Sequence, residues 1–392
     1  MACFSGPEIL NDGLVFCYDQ GNTDKSWRGA PAVNLAASNF FDGNENFTVD
    51  ENVSHVMPDG STGIARLLNA QFVSNLNRTV SIGSYALTAG QTYTLSFYVM
   101  NIDCTGFSGN LYSPTLLRVI GNITYPTVST SSWTRVTTTF TVPNEGPNPV
   151  TLAPQAFRDG GNGRFKLCWL QLEQNTFATS YVNGTRSNTQ AVLDLTGRNT
   201  ITANSLTYAS NNTFSFNGSS NQLTMSTFDT AALSAEQITL EAWVRHTNLT
   251  GSQAYINNWF NFTGADQRGV ILRTFNSQAF PSFWWCWGAD YNAVYADSFT
   301  MSPGTWYHVV GTYTKNVAAR IYVNGVLYNS TTNTTVNNNI VYDTTNRFNI
   351  GQSNINGSWM NGQIDQAKVY NRALTTIEVK QNFEATRGRY GI

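Results

Sequence analysis

Charge is scarce in this chain: 22 basic and 24 acidic residues make up 12% of 392, about half the share of an ordinary soluble protein. With a net charge of −2 and no basic run, nothing is present to neutralise a phosphate backbone, which argues against nucleic-acid binding. No apolar stretch reaches the roughly 18 residues of a membrane helix, so membrane insertion is not expected. The opening MACFSGPEILNDG has neither a basic start nor a long apolar core, and no secretory leader is expected. Histidine is rarer still. His55, His246 and His308 are the only three, and none stands near a G-x-S-x-G nucleophile motif. Cys3, Cys17, Cys104, Cys168 and Cys286 are odd in number and far apart, without a CxxC pair. That spacing argues against a disulfide framework or zinc site and for buried free thiols.

What the chain does have is aromatic residues, 13% of the total, set among Asn, Thr, Ser and Gly. Such a composition excludes disorder and predicts a β-rich protein whose uncharged polar surface responds little to salt. Strand alternation recurs at residues 92–99 (TYTLSFYV), 133–142 (WTRVTTTFTV), 238–244 (ITLEAWV) and 306–313 (WYHVVGTY). Asn324-Gly325 lies between two apolar runs and predicts a two-residue hairpin turn with positive φ at both positions. One helix is expected, opening with the capping-box pair Thr375 and Glu378 and ending at Gly388. The fold class is therefore all-β: antiparallel β-sandwiches with one short C-terminal helix. No fixed-period repeat, heptad or collagen-like segment is present, so a self-contained fibre shaft is not encoded. Residues 183–190 (NGTRSNTQ) are the best boundary candidate, better than the loops at 144–149 and 159–163.

Several segments in the second half resemble, in the expected order, the laminin G-like, concanavalin A-like jelly-roll domains common in bacteriophage and other virion proteins. They are 214–219 (FSFNGS), 238–244 (ITLEAWV), 306–313 (WYHVVGTY), 322–325 (YVNG) and 362–374 (GQIDQAKVYNRAL). Residues 12–19 (DGLVFCYD) resemble the strand that opens such domains, yet the LDLTGRN segment that usually follows soon after stands at 193–199. An insertion accounts for this: residues 1–30 plus 188–392 form the laminin G-like sandwich and residues 31–187 a second domain within it. The inserted segment resembles the jelly-roll carbohydrate-binding modules of phage fibre proteins through 93–100 (YTLSFYVM), 133–142 and 167–181 (LCWLQLEQNTFATSY). Tandem order without insertion is the alternative.

The resemblance implies a non-enzymatic virion surface protein, in a tail fibre or tip or as head decoration. Its expected partners are other virion proteins, copies of itself (a trimer if it belongs to a fibre) and host-surface glycan. Its expected place is the virion surface after assembly in the host cytoplasm. A purely structural decoration or cement protein is one alternative, and a secreted glycan-processing enzyme is another. Hydrolases on this fold hold two carboxylates either side of a glycosidic bond and carry a Glu-x-Asp-x-x-Glu type strand. Here Glu241 is followed by Trp243 and Arg245, three residues on one strand face, so a structural Glu241–Arg245 pair across Trp243 is expected instead. His308 reads as a packed or hydrogen-bonded residue.

The densest aromatic segment is 283–287 (FWWCW). On a strand, Phe283, Trp285 and Trp287 project from one face, and Trp284 and Cys286 from the other. Sugars present flat C–H faces to aromatic rings, with amides and carboxylates bonding their hydroxyls. Phe283, Trp285 and Trp287, with Tyr291, Asn292, Trp259 and Asn258 behind them, are the candidate carbohydrate contacts. The weightier competing reading is that these rings are core or buried against a neighbouring subunit. No cofactor is expected. Members of both fold types carry structural calcium, but Asp19, Asp194, Asp290, Asp297 and Asp343 are scattered, and no ligand set is assigned.

Overall fold

A computed structural model describes residues 8–23, 25–36, 49–69, 79–81, 84–158, 163–209, 213–259, 267–288, 290–332, 336–344, 348–353 and 357–392. The chain divides into two compact units, one of Met1–Ala30 with Ser187–Ile392 and one of Pro31–Arg186. Cys3 and part of the loop at 159–163 lie outside the described residues.

The first unit pairs two antiparallel sheets. One has eight described strands, in the order Thr207–Tyr208, Phe214–Asn217, Asn361–Tyr370, Gln237–His246, Trp306–Thr314, Ala318–Val323 and Val326–Thr331, with Leu14–Asp19 also on Asn361–Tyr370. The other has seven: Thr202–Asn204, Gln222–Met225, Phe348–Ile350, Gln253–Asn257, Val270–Thr274, Pro281–Cys286 and Tyr291–Tyr295. The N-terminal strand is thus held by the last strand of the chain, with Cys17 opposite Lys368 and Asp19 opposite Gln366. The LDLTGRN loop docks on it. Asp194 Oδ1 accepts from the Cys17 amide, and the Leu195 amide donates to the Cys17 carbonyl.

Period-2 patterning decides which side chains meet between the sheets. Ile238, Leu240, Ala242 and Val244 point into the core, with Val309, Tyr313, Ile321, Val323, Ala367 and Val369, against Leu223, Leu272, Phe283, Trp285, Phe348 and Ile350. Gly311 fits this packing because Phe283 occupies its space: a Cβ there would stand 2.4 Å from the Phe283 ring. Asn324 and Gly325 have φ of 50° and 74°, the positive pair that the hairpin joining Ala318–Val323 to Val326–Thr331 requires.

The outer face of the eight-stranded sheet is covered by the helix Thr376–Thr386. The Thr375–Glu378 capping box forms as expected, but the helix stops at Thr386 and a 3-10 turn, Arg387–Tyr390, follows. Gly391, not Gly388, takes the left-handed conformation that ends it.

The second unit is also a sandwich. Its five-stranded sheet runs Thr134–Thr141, Thr92–Asn101, Arg164–Glu173, Thr62–Asn69, Val49–Val56. The facing sheet runs Thr79–Ser81, Val150–Arg158, Gly109–Ser113, Arg118–Ile123, with Tyr85–Leu87 on Val150–Arg158. Leu95, Phe97, Val99, Leu111, Val136, Leu152, Leu167 and Leu172 fill the space between them. After the strand Arg164–Glu173 the chain is clamped by Glu173. Its Oε1 accepts from the Thr179 amide at 2.8 Å and from Gln171 Nε2 at 2.9 Å, and its Oε2 accepts from Thr179 Oγ1 at 2.9 Å. A buried carboxylate is tolerated where its oxygens are satisfied in this way.

Candidate functional site

The outer face of the seven-stranded sheet is the aromatic one. Register places Trp284 opposite Ile271 and Ala293, Ser282 opposite Arg273 and Tyr295, and Cys286 opposite Tyr291. These residues alternate with the inward set Val270, Leu272, Phe283, Trp285 and Val294. Ala254, Trp259, Ile271, Trp284 and Cys286 form a separate buried cluster on this outer side, with half-buried Phe275, Tyr291, Ala293 and Tyr295 around it.

Trp284 is the hub. Tyr291 stacks on it at 5.2 Å and 17°, Tyr295 meets it edge-on at 5.8 Å, and Phe275 lies 5.0 Å away. Its indole N–H donates to Ser282 Oγ at 2.8 Å, which fixes the ring. The Arg273 guanidinium lies 4.3 Å over the Trp284 ring and 4.5 Å over Phe275. Burial lowers Arg273 to about 10, so it remains a cation at neutral pH, and desolvated cation–π contacts are each worth about 2 kcal/mol. Across the sheet this face turns polar. Asn204 Nδ2 donates to Thr224 Oγ1 at 2.7 Å, and Asn257 Nδ2 to the Gln352 carbonyl at 2.7 Å.

The structure sorts the seven candidate contacts. Phe283 and Trp285 are both 0% exposed and pack in the sandwich core, so neither offers a ring to a ligand. Trp287 lies just past the strand end and packs, half-buried, against that core. Asn292, opposite Trp285, shares the core-facing register. Tyr291 and Trp259 belong to the outer cluster, where Trp259 meets both Trp284 and Tyr291 edge-on at 6.1 and 6.0 Å. Asn258 is tied to Asp343: its Nδ2 donates to the Asp343 carbonyl, and its Oδ1 accepts from the Asp343 amide.

Choosing the odd-numbered face of residues 283–287 therefore missed Trp284, Tyr295, Phe275 and Arg273. Two signals point to the even face. Tyr291 and Tyr295 are four apart on a strand and must share a side, and Gly311 in a central strand leaves the hole that one large inward ring fills.

Glu241 is sealed on the far side of the other sheet. Lys368 Nζ donates to its Oε1 at 2.6 Å, His308 Nε2 lies 3.1 Å from the same oxygen, and Asn382 Nδ2 donates to Oε2 at 2.7 Å. Burial alone would raise this carboxyl, but Lys368 and His308 hold it well below the usual carboxylate range. The expected Glu241–Arg245 pair does not form. Arg245 instead bonds Gln363 and lies over Trp306, because Lys368 on the neighbouring strand stands directly opposite Glu241. Trp243 is held by the C-terminus: its indole N–H donates to Thr386 Oγ1, and the Tyr390 ring stacks on it at 3.9 Å.

The candidate aspartates do not converge. Asp19 pairs with Arg389 and accepts from Gln366, whereas Asp194 caps the turn at Thr196 and Asn199. Among the described residues no three His, Cys, Asp or Glu side chains are grouped as metal ligands. Cys17, Cys104, Cys168 and Cys286 are buried free thiols, and burial pushes the first three up to about 12, far from the reactive thiolate range. No described helix is long and apolar enough to cross a membrane.

Residues 216–380 match the family model described as the concanavalin A-like lectin/glucanases superfamily. Among solved structures, the receptor-binding domain of botulinum neurotoxin C/D mosaic serotype is similar at 16% identity and a TM-score of 0.39, over 50% of this chain and 49% of that one. A Trypanosoma rangeli sialidase is similar at 17% identity and a TM-score of 0.39, over 50% of this chain and 31% of that one. The heptameric SAP-like pentraxin of Limulus polyphemus follows at 16% and 0.30, over 37% of this chain and 68% of that one. The chain thus spans half or less of the first two structures' own length. No curated protein matches.

Proposed function

We propose that this protein is a non-enzymatic surface protein of a bacteriophage virion, in a tail fibre or tip or as head decoration. It works by contact, and it engages host-surface glycan through the outer face of its seven-stranded sheet. The observation that carries the reading is the Trp284 hub with half-buried Tyr291, Tyr295 and Phe275 on one side of a rigid sheet. Rings of this kind suit the C–H faces of sugars, and sheet-borne sites are held firmly. The virion placement is supported by the ordered motifs of residues 214–374 and by the opening strand at 12–19. An oligomer, trimeric in a fibre, belongs to the same proposal.

A purely structural decoration role is the second reading, and Trp284 and Trp259 favour it by being only 3% and 2% exposed. The enzymatic alternative is disfavoured because Glu241 is neutralised by Lys368 and walled in by the C-terminal helix. Antibody-gold labelling of virions discriminates. Label on projecting tail structures is expected. Label at regular head-lattice positions moves the protein to decoration, and unlabelled particles contradict the virion reading.

A further inference from the structure

The outer face of the eight-stranded sheet buries three polar side chains that meet under the C-terminal helix. Glu241 and Lys368 stand directly opposite each other on neighbouring strands, and Asn382 reaches them from the helix Thr376–Thr386. They are 1%, 1% and 0% exposed. Asparagine is a poor residue for a helix interior, and taking a lysine and a carboxylate out of water is expensive. Apolar side chains would cover the sheet at lower cost, so packing alone gives no reason for this set.

One carboxylate holds both partners. Glu241 Oε1 accepts from Lys368 Nζ at 2.6 Å, and Oε2 accepts from Asn382 Nδ2 at 2.7 Å. The amine and the amide are thus neighbours on the two oxygens of a single group, and the flexible lysine stem lets Nζ swing toward the amide carbon. The rest of the amide is held as well. Asn382 Oδ1 accepts from the Leu10 backbone N–H at 3.0 Å, and the Tyr370 hydroxyl lies 3.0 Å from Nδ2. A fixed N–H on a carbonyl oxygen stabilises negative charge that develops there. Val310 stands opposite Glu241 on its other neighbouring strand, and Tyr370, Leu374 and Val379 belong to the same apolar cluster, which excludes competing water.

We propose that Lys368 and Asn382 join in an intramolecular isopeptide bond, with Glu241 as the proton carrier. A proton passes from Nζ to Oε1 along their 2.6 Å contact, leaving a neutral amine and a neutral acid where burial disfavours charge. The Nζ lone pair then attacks Asn382 Cγ, and the carbonyl electron pair moves onto Oδ1 beneath the Leu10 N–H. Glu241 gives its proton to Nδ2 through Oε2 and takes a second proton from Nζ. The C=O re-forms, the Cγ–Nδ2 bond breaks, and the departing ammonia takes that second proton. An ammonium and a primary amide have become a secondary amide and free ammonium. Glu241 is a carboxylate again, and no oxidant, reductant or added cofactor is consumed.

The bond staples the helix to the sheet in a chain whose Cys17, Cys104, Cys168 and Cys286 remain free thiols. Its new amide N–H still donates to Glu241, so removing Lys368 strands the carboxylate in the joined chain as in the open one. The staple lies on the opposite sheet from the Trp284 face and depends neither on glycan contact nor on placement in a virion.

Intact-mass spectrometry of the purified full chain, incubated at neutral pH and then unfolded, tests the proposal. The expected mass is one ammonia below that of the sequence. A succinimide at an Asn-Gly step loses the same mass, so a tryptic map separates the two. The isopeptide bond blocks cleavage after Lys368 and yields residues 348–372 joined to residues 381–387. Lys368→Arg, which removes the amine, and Glu241→Gln, which removes the proton carrier, should each show the full mass of their own sequence and separate peptides. Should either variant fail to fold, the joined peptide of the native chain decides alone. The proposal is overturned by a native chain of full mass that is cleaved after Lys368, by loss of ammonia without the joined peptide, or by a joined peptide that persists in folded Glu241→Gln.

Discussion

Lys368 and Glu241 form a buried pair whose strength rests on completeness: both side chains are 1% exposed, and Glu241 takes further contacts from His308 and Asn382. Removing one partner strands a charge. Lys368→Met should therefore destabilise the protein by about 3–5 kcal/mol, and adding Glu241→Gln should recover part of the loss. Urea midpoints of the single and double variants measure this, and additive losses would contradict the pairing. His246 gives a pH signature of opposite charge. It is 1% exposed, with Nδ1 3.0 Å from Gln253 Oε1 and Nε2 2.8 Å from the Tyr255 hydroxyl. Burial lowers it to about 4 from 6.5, so the folded protein keeps the neutral ring. The unfolded chain binds the proton first, and stability falls as pH drops from about 6.5 to 4, by on the order of 3 kcal/mol. Denaturation across that window should show the slope in the native chain and a shallower one in His246→Gln.

Among the elements, strands and the hairpin were the most legible, since alternation over 238–244 and 306–313 and the Asn324-Gly325 turn depend on local chemistry alone. The strand Gln237–His246 and the turn at positive φ follow directly. The helix start was equally legible through its capping box, whereas its end was not. Gly388 falls inside a 3-10 turn because Tyr390 is drawn onto Trp243, a contact that sequence spacing does not encode. The face of residues 283–287 failed for a related reason: period-2 alternation separates two faces but does not say which one meets the opposite sheet. The opposite sheet decides it through Gly311, whose missing side chain admits Phe283. Gly311→Ala should accordingly cost about 1–3 kcal/mol by overpacking, with Phe283→Leu in the same chain restoring part of it. A thermal midpoint unchanged by Gly311→Ala would mean that the two sheets do not meet there. Trp169 turns to the outer side for a comparable reason, because the β-bulge between Cys168 and Gln171 shifts every later residue of that strand to the other face.

At the scale of the whole molecule, two β-sandwich units each carry aromatic rings on an outer sheet face, and charged residues make up only 12% of the chain. Contact through stacking and hydrogen bonds should then persist as salt rises. The decisive measurement is a glycan array probed with the native chain and with Tyr291→Ala, Tyr295→Ala, two half-buried residues of the outer cluster that lie outside the core between the sheets. Binding by the native chain to a defined set of glycans, lost in part or whole in a double variant that still unfolds cooperatively, is the expected result. Equal binding by both proteins, or none by the native chain, would contradict a glycan-contact role for the Trp284 face.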